Sequence, residues 1–276
     1  MPSNSTELLT IIIPAYNEEQ RIGETLQKYL DYYELRYSKN YKILVVLNGC
    51  KDNTEGVVKK FKEKYPSLDY LVFDDPIGKG GAIKEGLKVA NTELVAFTDA
   101  DSSTRPEILH RLIAVLELTD SLDCVIGSRN MVGSVVTGKS QKRKIMSSGF
   151  NFGVNFLFGL GFKDTQCGAK VVRQRLIPKI IDNLTISNMA FDVNFLVDVK
   201  RAGGKTLEMP IEWEDSDGST ISNNGFKTSF VMALSVFRLW LLYSPFKFLY
   251  PTLIRPISEF LFHTLVSKEK PKMIKK

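Results

Sequence analysis

The chain is poor in the residues from which metal clusters, disulfides and nucleophile–histidine pairs are made. It holds three cysteines and two histidines among 276 residues. Cys50, Cys124 and Cys167 are scattered and show no paired ligand spacing, which points to reduced thiols of a cytosolic compartment. His110 and His263 lie far apart, so a zinc site or a Ser/His/Asp triad has little raw material, and His110 reads as a packing or surface residue of a helix. The net charge of +6 is not gathered into a basic stripe interleaved with aromatics, which argues against nucleic acid. Met1 to Glu7 is polar and lacks the apolar stretch of a secretory signal. Long apolar runs are scarce too. Ile145 to Phe162 carries no charge, but its four glycines and two asparagines favour a half-buried helix or a membrane-facing groove over a spanning helix.

What is present is an ordinary globular composition, 43% hydrophobic and 25% charged, in a chain long enough for one large α/β domain or two small ones. Apolar, β-rich runs alternate with segments of helical spacing. The pattern predicts strands at 8–14, 42–47, 70–73, 94–98 and 123–127, and helices at 18–33, 53–65, 81–90 and 106–117. A further strand is predicted at 206–213. Repeated βα units imply a mostly parallel sheet covered on both faces, with ligands at the carboxyl ends of its strands. Those ends carry Pro14 to Glu18, Asn48 to Cys50, Asp74-Asp75, Asp99 to Asp101 and Gly127 to Arg129, so polar groups converge on one rim.

Asp99-Ala100-Asp101 is the most telling of these. Two carboxylates two residues apart after a buried strand can turn to one polar site and hold a divalent cation against a diphosphate. Taken alone, they suit a solvated loop or a helix cap ahead of Pro106 equally well. Gly78-Lys79-Gly80-Gly81 is not a Walker A loop. It allows either close backbone approach to an anion or a plain turn and helix cap. Arg143 and Ser147, four apart, share one face if helical, with Lys142 and Lys144 beside them. From Thr228 the composition turns apolar: Phe230 to Tyr243 contains a single charge, Arg238, and the tail from Ser267 holds five lysines. Helices lying in a bilayer interface account for this, as does a helical pair packed on the domain. The lysine tail suits an anionic leaflet. The expected division is 8–227 and 228–276.

Ile11 to Glu19, the Asp-x-Asp element, Gly78 to Ala82, Asp164-Thr165-Gln166-Cys167-Gly168, Phe191-Asp192-Val193 and Pro210 to Trp213 with Gly218-Ser219 follow one another in an order that resembles the family 2 glycosyltransferases of the GT-A fold. Within them the pattern is similar to the dolichyl-phosphate glucosyltransferase branch, over roughly residues 8 to 225. The resemblance implies an α/β GT-A domain with apolar C-terminal helices at a membrane. It implies that Pro14, Tyr16 and Glu18 form the first nucleotide-binding loop, that Asp99 with Ala100 faces the ribose or base, and that Asp101 with Ser103 ligates Mg²⁺ or Mn²⁺. Lys79 would hold the diphosphate or sugar. Arg129, Arg143 and Ser147 would hold an acceptor phosphate, and Asp192 stands where relatives with hydroxyl acceptors carry a base. Asp101, Asp192 and Arg129 are thus the implied catalytic set. The implied reaction is inverting, metal-dependent transfer of a hexose from a nucleotide sugar, UDP-glucose, to dolichyl or polyprenyl phosphate at the cytosolic face of a membrane. GDP-mannose as donor, a soluble transferase acting on a hydroxyl, and a catalytically silent nucleotide- or lipid-binding module are the alternatives. Two departures stand out. Relatives show Val-Val-Asp-Asp-Gly-Ser where this chain has Val45 to Cys50, leaving Asn48 to meet a base edge, and Thr220 follows Gly218-Ser219 where the branch carries lysine.

Overall fold

Ile11, Ile12 and Ile13 are apolar on both faces of their strand, so β1 (Leu9–Ala15) belongs in the middle of a covered sheet, and it is buried along its length. In a computed structural model, which describes residues 7–138, 140–215, 225–245 and 247 (backbone alone at 142 and 225–228), β1 pairs in parallel with β2 (Tyr41–Asn48) on one side and β4 (Leu94–Phe97) on the other. β3 (Leu68–Phe73) adds in parallel to β2. Beyond β4 come β7 (Lys170–Arg173), β5 (Cys124–Ser128) and β8 (Thr206–Pro210), completing a seven-stranded sheet in the order β3-β2-β1-β4-β7-β5-β8. β7 is antiparallel to both its neighbours, and the other pairs are parallel. β6 (Val135–Thr137) and β9 (Glu212–Glu214) form a separate parallel pair.

The helices between these strands are α1 (Ile22–Tyr37), α2 (Thr54–Lys64), α3 (Gly78–Val89), α4 (Pro106–Leu118), α5 (Gln141–Phe158), the short α6 (Ile177–Ile180) and α7 (Phe191–Arg201). α4 opens on proline, whose missing amide costs nothing at a first helical position. Ser140 caps α5 by accepting the Arg143 amide, and Gly159, at φ +59°, closes it in the left-handed conformation. α1 lays Tyr29, Tyr33 and Tyr37 along one face, and each hydroxyl finds an acceptor, on Thr104, Pro106 and Glu117. His110 packs edge-on against Tyr32, Tyr33 and Tyr37. The three cysteines are free thiols.

Two segments differ from the sequence expectation. The single strand predicted at 206–213 is broken. Pro210 ends β8, the Ile211 amide donates to the Ser128 carbonyl, and the chain then joins β6 as β9. β7, α6 and α7, which periodicity had not marked, fill the sheet between β4 and β5 and cover it. Chain contacts divide the molecule into two units, Met1–Asp217 and Gly218–Lys276. In the second, α8 (Gly225–Tyr243) is described, with Phe237 and Trp240 stacked on it. Among the described residues no helix is long and apolar enough to cross a membrane. Gly218-Ser219-Thr220, His263 and the lysine tail lie outside the described residues.

Candidate active site

The strand order reverses between β1 and β4. From β1 the chain crosses to β2 and β3, while β4 has β7 and β5 on its far side. Such a reversal leaves a crevice outside the carboxyl ends of the two strands, because the loops that follow them turn apart. The loops after β1 and β4 carry Pro14 to Glu18 and Asp99 to Ser103 to that crevice. Thr98 makes the last ladder bond, from its amide to the Ile12 carbonyl at 3.1 Å, and Asp99 follows at the rim, 36% exposed. A Cβ on Gly168 would stand 2.3 Å from Asp99 Oδ2, so a side chain there would displace the carboxylate from its present position.

Asp99 is not alone. Lys79, in the first turn of α3 and 13% exposed, places Nζ 2.6 Å from Asp99 Oδ1 and 3.8 Å from Asp192 Oδ2. Asp192, in the first turn of α7, is buried and accepts from the wholly buried Lys170 of β7. Burial alone would raise the Asp99 pKa, but Lys79, backed by Arg129 and Lys170, holds it below the usual carboxylate range. Burial likewise works against a charged Lys79, and Asp99 and Asp192 outweigh it, raising its pKa. The pairing thus favours the charged forms of both Asp99 and Lys79.

Asp101 turns back on its own loop. Its Oδ1 accepts the Ser103 amide at 3.0 Å and also the Ser103 hydroxyl, and Ser102 between them sits at φ +59°. Ala100 is buried, its carbonyl bound by Thr25 Oγ1 at 2.7 Å, which pins the loop to α1. Asp101 and Ser103 supply hard oxygen donors of the kind Mg²⁺ and Mn²⁺ take. Among the described residues no three His, Cys, Asp or Glu side chains gather to hold a metal. The donor set fits a cation that draws its remaining ligands from a bound diphosphate.

On the β1 side, Tyr16 is 43% exposed and presents its ring, while Pro14 is half-buried. The Glu18 carboxylate is clasped by Arg21 at 2.7 and 2.9 Å, and its amide donates to Thr54 Oγ1. Burial pushes the Glu18 pKa up against the pull of Arg21, with Asp101 and Asp99 adding to the rise. Asn48, expected at a base edge, has its Oδ1 occupied by the amides of Ile77 at 2.6 Å and Gly78 at 3.1 Å. The Gly80 and Gly81 amides go to the Ser187 carbonyl. The glycine run is thus a turn and cap that brings α3 close to the 186–187 backbone, and the group it offers a ligand is the Lys79 side chain.

Arg129 forms a two-pronged bond to Asp164, 2.7 Å from Nε and 3.1 Å from Nη2, with its guanidinium 5.3 Å from the Trp213 ring centre. Arg143, 39% exposed, pairs with Asp215. Ser147 lies one turn along α5, its hydroxyl donating to the Lys144 carbonyl at 3.0 Å. Lys79 ties Asp99 to Asp192 at the crevice, with Asp101 two residues on, while Arg143 and Ser147 are carried by α5 and make their contacts with Asp215 and Lys144. The sequence motifs pass over Lys170 and Arg21, and they mark Asp164 within the 164–168 motif without a role. A lysine opening the apolar run Ala169 to Val172 was the available sign for the first.

The Glycosyl transferase family 2 pattern matches residues 10–181. The chain is a family 2 glycosyltransferase. Among its relatives, a dolichyl-phosphate beta-glucosyltransferase of Trichomonas vaginalis is 33% identical over 224 residues, covering 79% of this chain and 69% of that protein. Those of Saccharomyces cerevisiae and Homo sapiens are 32% and 29% identical, each over 78% of this chain and over 69% and 70% of their own. Among solved structures, mannosyl-3-phosphoglycerate synthase from Rubrobacter xylanophilus superposes with a TM-score of 0.65 at 16% identity, over 85% of this chain and 74% of that one. Glucosyl-3-phosphoglycerate synthase from Mycobacterium tuberculosis, in complex with Mn²⁺, uridine diphosphate and phosphoglyceric acid, gives 0.64 at 14% identity, over 85% of this chain and 78% of that one. This likeness shows the GT-A fold.

Proposed function

We propose that this glycosyltransferase moves glucose from UDP-glucose to dolichyl or polyprenyl phosphate. The observation that carries the reading is the likeness to dolichyl-phosphate beta-glucosyltransferases over 79% of the chain. The crevice supports it. Tyr16 offers a face to the base or ribose, Asp99 faces the ribose, and Lys79 lies within reach of the diphosphate. Asp101 and Ser103 would hold the divalent cation, which offsets charge on the departing nucleoside diphosphate.

A phosphate monoester is already largely ionised near neutral pH, its second pKa being about 6. It needs no base. One of its oxygens forms the bond to the anomeric carbon on the side opposite the diphosphate, and the breaking bond leaves its electron pair on UDP, inverting the centre. The protein's task is placement and charge compensation. Asp192, enclosed by Lys170 and Lys79, serves as a fixed anion in this scheme. Arg143 and Ser147 receive the acceptor phosphate, where a guanidinium fork matches phosphate geometry.

The lipid calls for a membrane contact. α5 exposes Ile145, Phe152 and Phe156, at 72, 74 and 81%, at spacings that place them on one face, next to Arg143 and Lys144. Separately, α8 is largely apolar. On this reading the exposed apolar face of α5 meets the cytosolic leaflet of a membrane. The experiment offers labelled UDP-glucose and GDP-mannose, each with dolichyl phosphate in detergent and Mn²⁺, and identifies the lipid product by mass. A hexosyl lipid from UDP-glucose is expected. Product from GDP-mannose alone reassigns the donor, and none from either rejects the reading.

A further inference from the structure

A row of alternating charges runs from the interior of the sheet to the crevice. It begins at Lys170 on β7, whose ammonium is wholly buried and lies 5.6 Å from the Phe97 ring centre. Its acceptors are the Cys167 carbonyl and Asp192 Oδ1. The other oxygen of Asp192 faces Lys79, and Lys79 continues to Asp99. The surroundings of Lys170 are apolar: Phe97 packs against Phe191 and Phe195 beside it. A buried ion pair contributes little net stability over apolar side chains of the same volume. The fold alone does not call for a lysine here. Its consequence appears at the far end of the row, where Lys79 and Asp99 reach the rim.

We propose that Lys170 is a positioning residue for the donor diphosphate. By gripping one oxygen of Asp192 it fixes the second, and Lys79 is suspended between that fixed oxygen and Asp99 at the level of the crevice. Without Lys170, the Asp192 carboxylate is left with Lys79 as its only cation in this row and draws it inward, away from the diphosphate, because an unpaired buried charge takes the nearest counter-charge. The inference deepens the proposed function and rests on its reading of the crevice as a nucleoside diphosphate site.

The test measures binding of UDP with Mn²⁺ to the full chain by calorimetry, in the parent, Lys170→Met, Lys79→Met and the double variant. Lys170→Met is expected to weaken UDP about tenfold or more, and to add nothing once Lys79 is already methionine, since groups acting through one link are not additive. A residue that only supports folding lowers affinity by the same factor in both backgrounds, and that result overturns the proposal. Should Lys170→Met fail to fold, Lys170→Gln takes its place, since it keeps a hydrogen-bond donor beside Asp192 and removes the cation while the carboxylate stays. It is expected to show the same loss of affinity, and parent-like affinity in this folded variant overturns the proposal. A parent chain that binds no UDP overturns the crevice reading and this inference together. A parent that binds UDP no more tightly than Lys170→Met overturns the positioning role alone.

Discussion

Asp164 illustrates how single residues hold this site. It is buried, and burial alone would raise its pKa, yet Arg129 and the amides of Arg129 and Gln166 keep it below the usual range. A lowered folded value means that the stabilisation is complete above the unfolded value of 3.8 and is lost as the pH falls through the folded one. Asp164→Asn leaves Arg129 uncompensated and is expected to cost about 3 kcal/mol at neutral pH. Urea unfolding checks this. The gap between parent and variant begins to narrow as the pH falls below the unfolded value of 3.8, where the unfolded chain takes up the proton first, and closes as the folded carboxyl is neutralised below it. A gap that stays constant through this acid range would contradict the assignment. Arg129 is thereby an arginine whose fork is committed to a buried carboxylate. Arg143 is paired as well, with Asp215, but is the more exposed of the two, at 39% against 14%.

At the scale of elements, α3 matters most, because its first turn carries Lys79. Asn48 at the end of β2 caps that turn through the Ile77 and Gly78 amides. Asn48→Ala is expected to lower stability by about 1–2 kcal/mol, as for other lost caps. Asn48→Asp should retain most of it, since a carboxylate suits both the amides and the positive end of the helix. Thermal and urea unfolding of the two variants test this, and an alanine variant as stable as the parent refutes the cap. Asn48 works on the backbone of a residue 29 positions away, which no local pattern announces. β1, β2 and β4 were legible because their apolar runs are buried on both faces, and α4 because proline marks its start. β7 was not. It is short, begins with Lys170 and ends with Arg173, and owes its place to antiparallel pairing with strands distant in sequence. The acidic rim followed from strand ends alone. The row from Lys170 to Asp99 did not, because it is assembled from β7, α7, α3 and the loop after β4.

For the whole molecule, the sheet reversal sets the crevice, and the proposed function assigns the donor to it and the lipid acceptor to α5. The two are separable. Arg143→Ala is expected to raise the apparent KM for dolichyl phosphate about tenfold or more, by loss of a charge-assisted phosphate contact, while leaving UDP affinity near the parent value. Kinetics over a range of lipid phosphate, set beside UDP calorimetry, make the comparison, and equal losses in both would remove Arg143 from the acceptor site. In the proposed function, Asp101 with Ser103 would hold a divalent cation that would offset charge on the leaving diphosphate. The decisive measurement is glucosyl-lipid formation from UDP-glucose and dolichyl phosphate, by parent and Asp101→Ala, with Mn²⁺ and with a chelator. Product from the parent that vanishes with chelator and falls by about 100-fold or more in Asp101→Ala is expected, in keeping with the several kcal/mol such a cation supplies. Undiminished product from Asp101→Ala, or from the parent in chelator, would contradict the account.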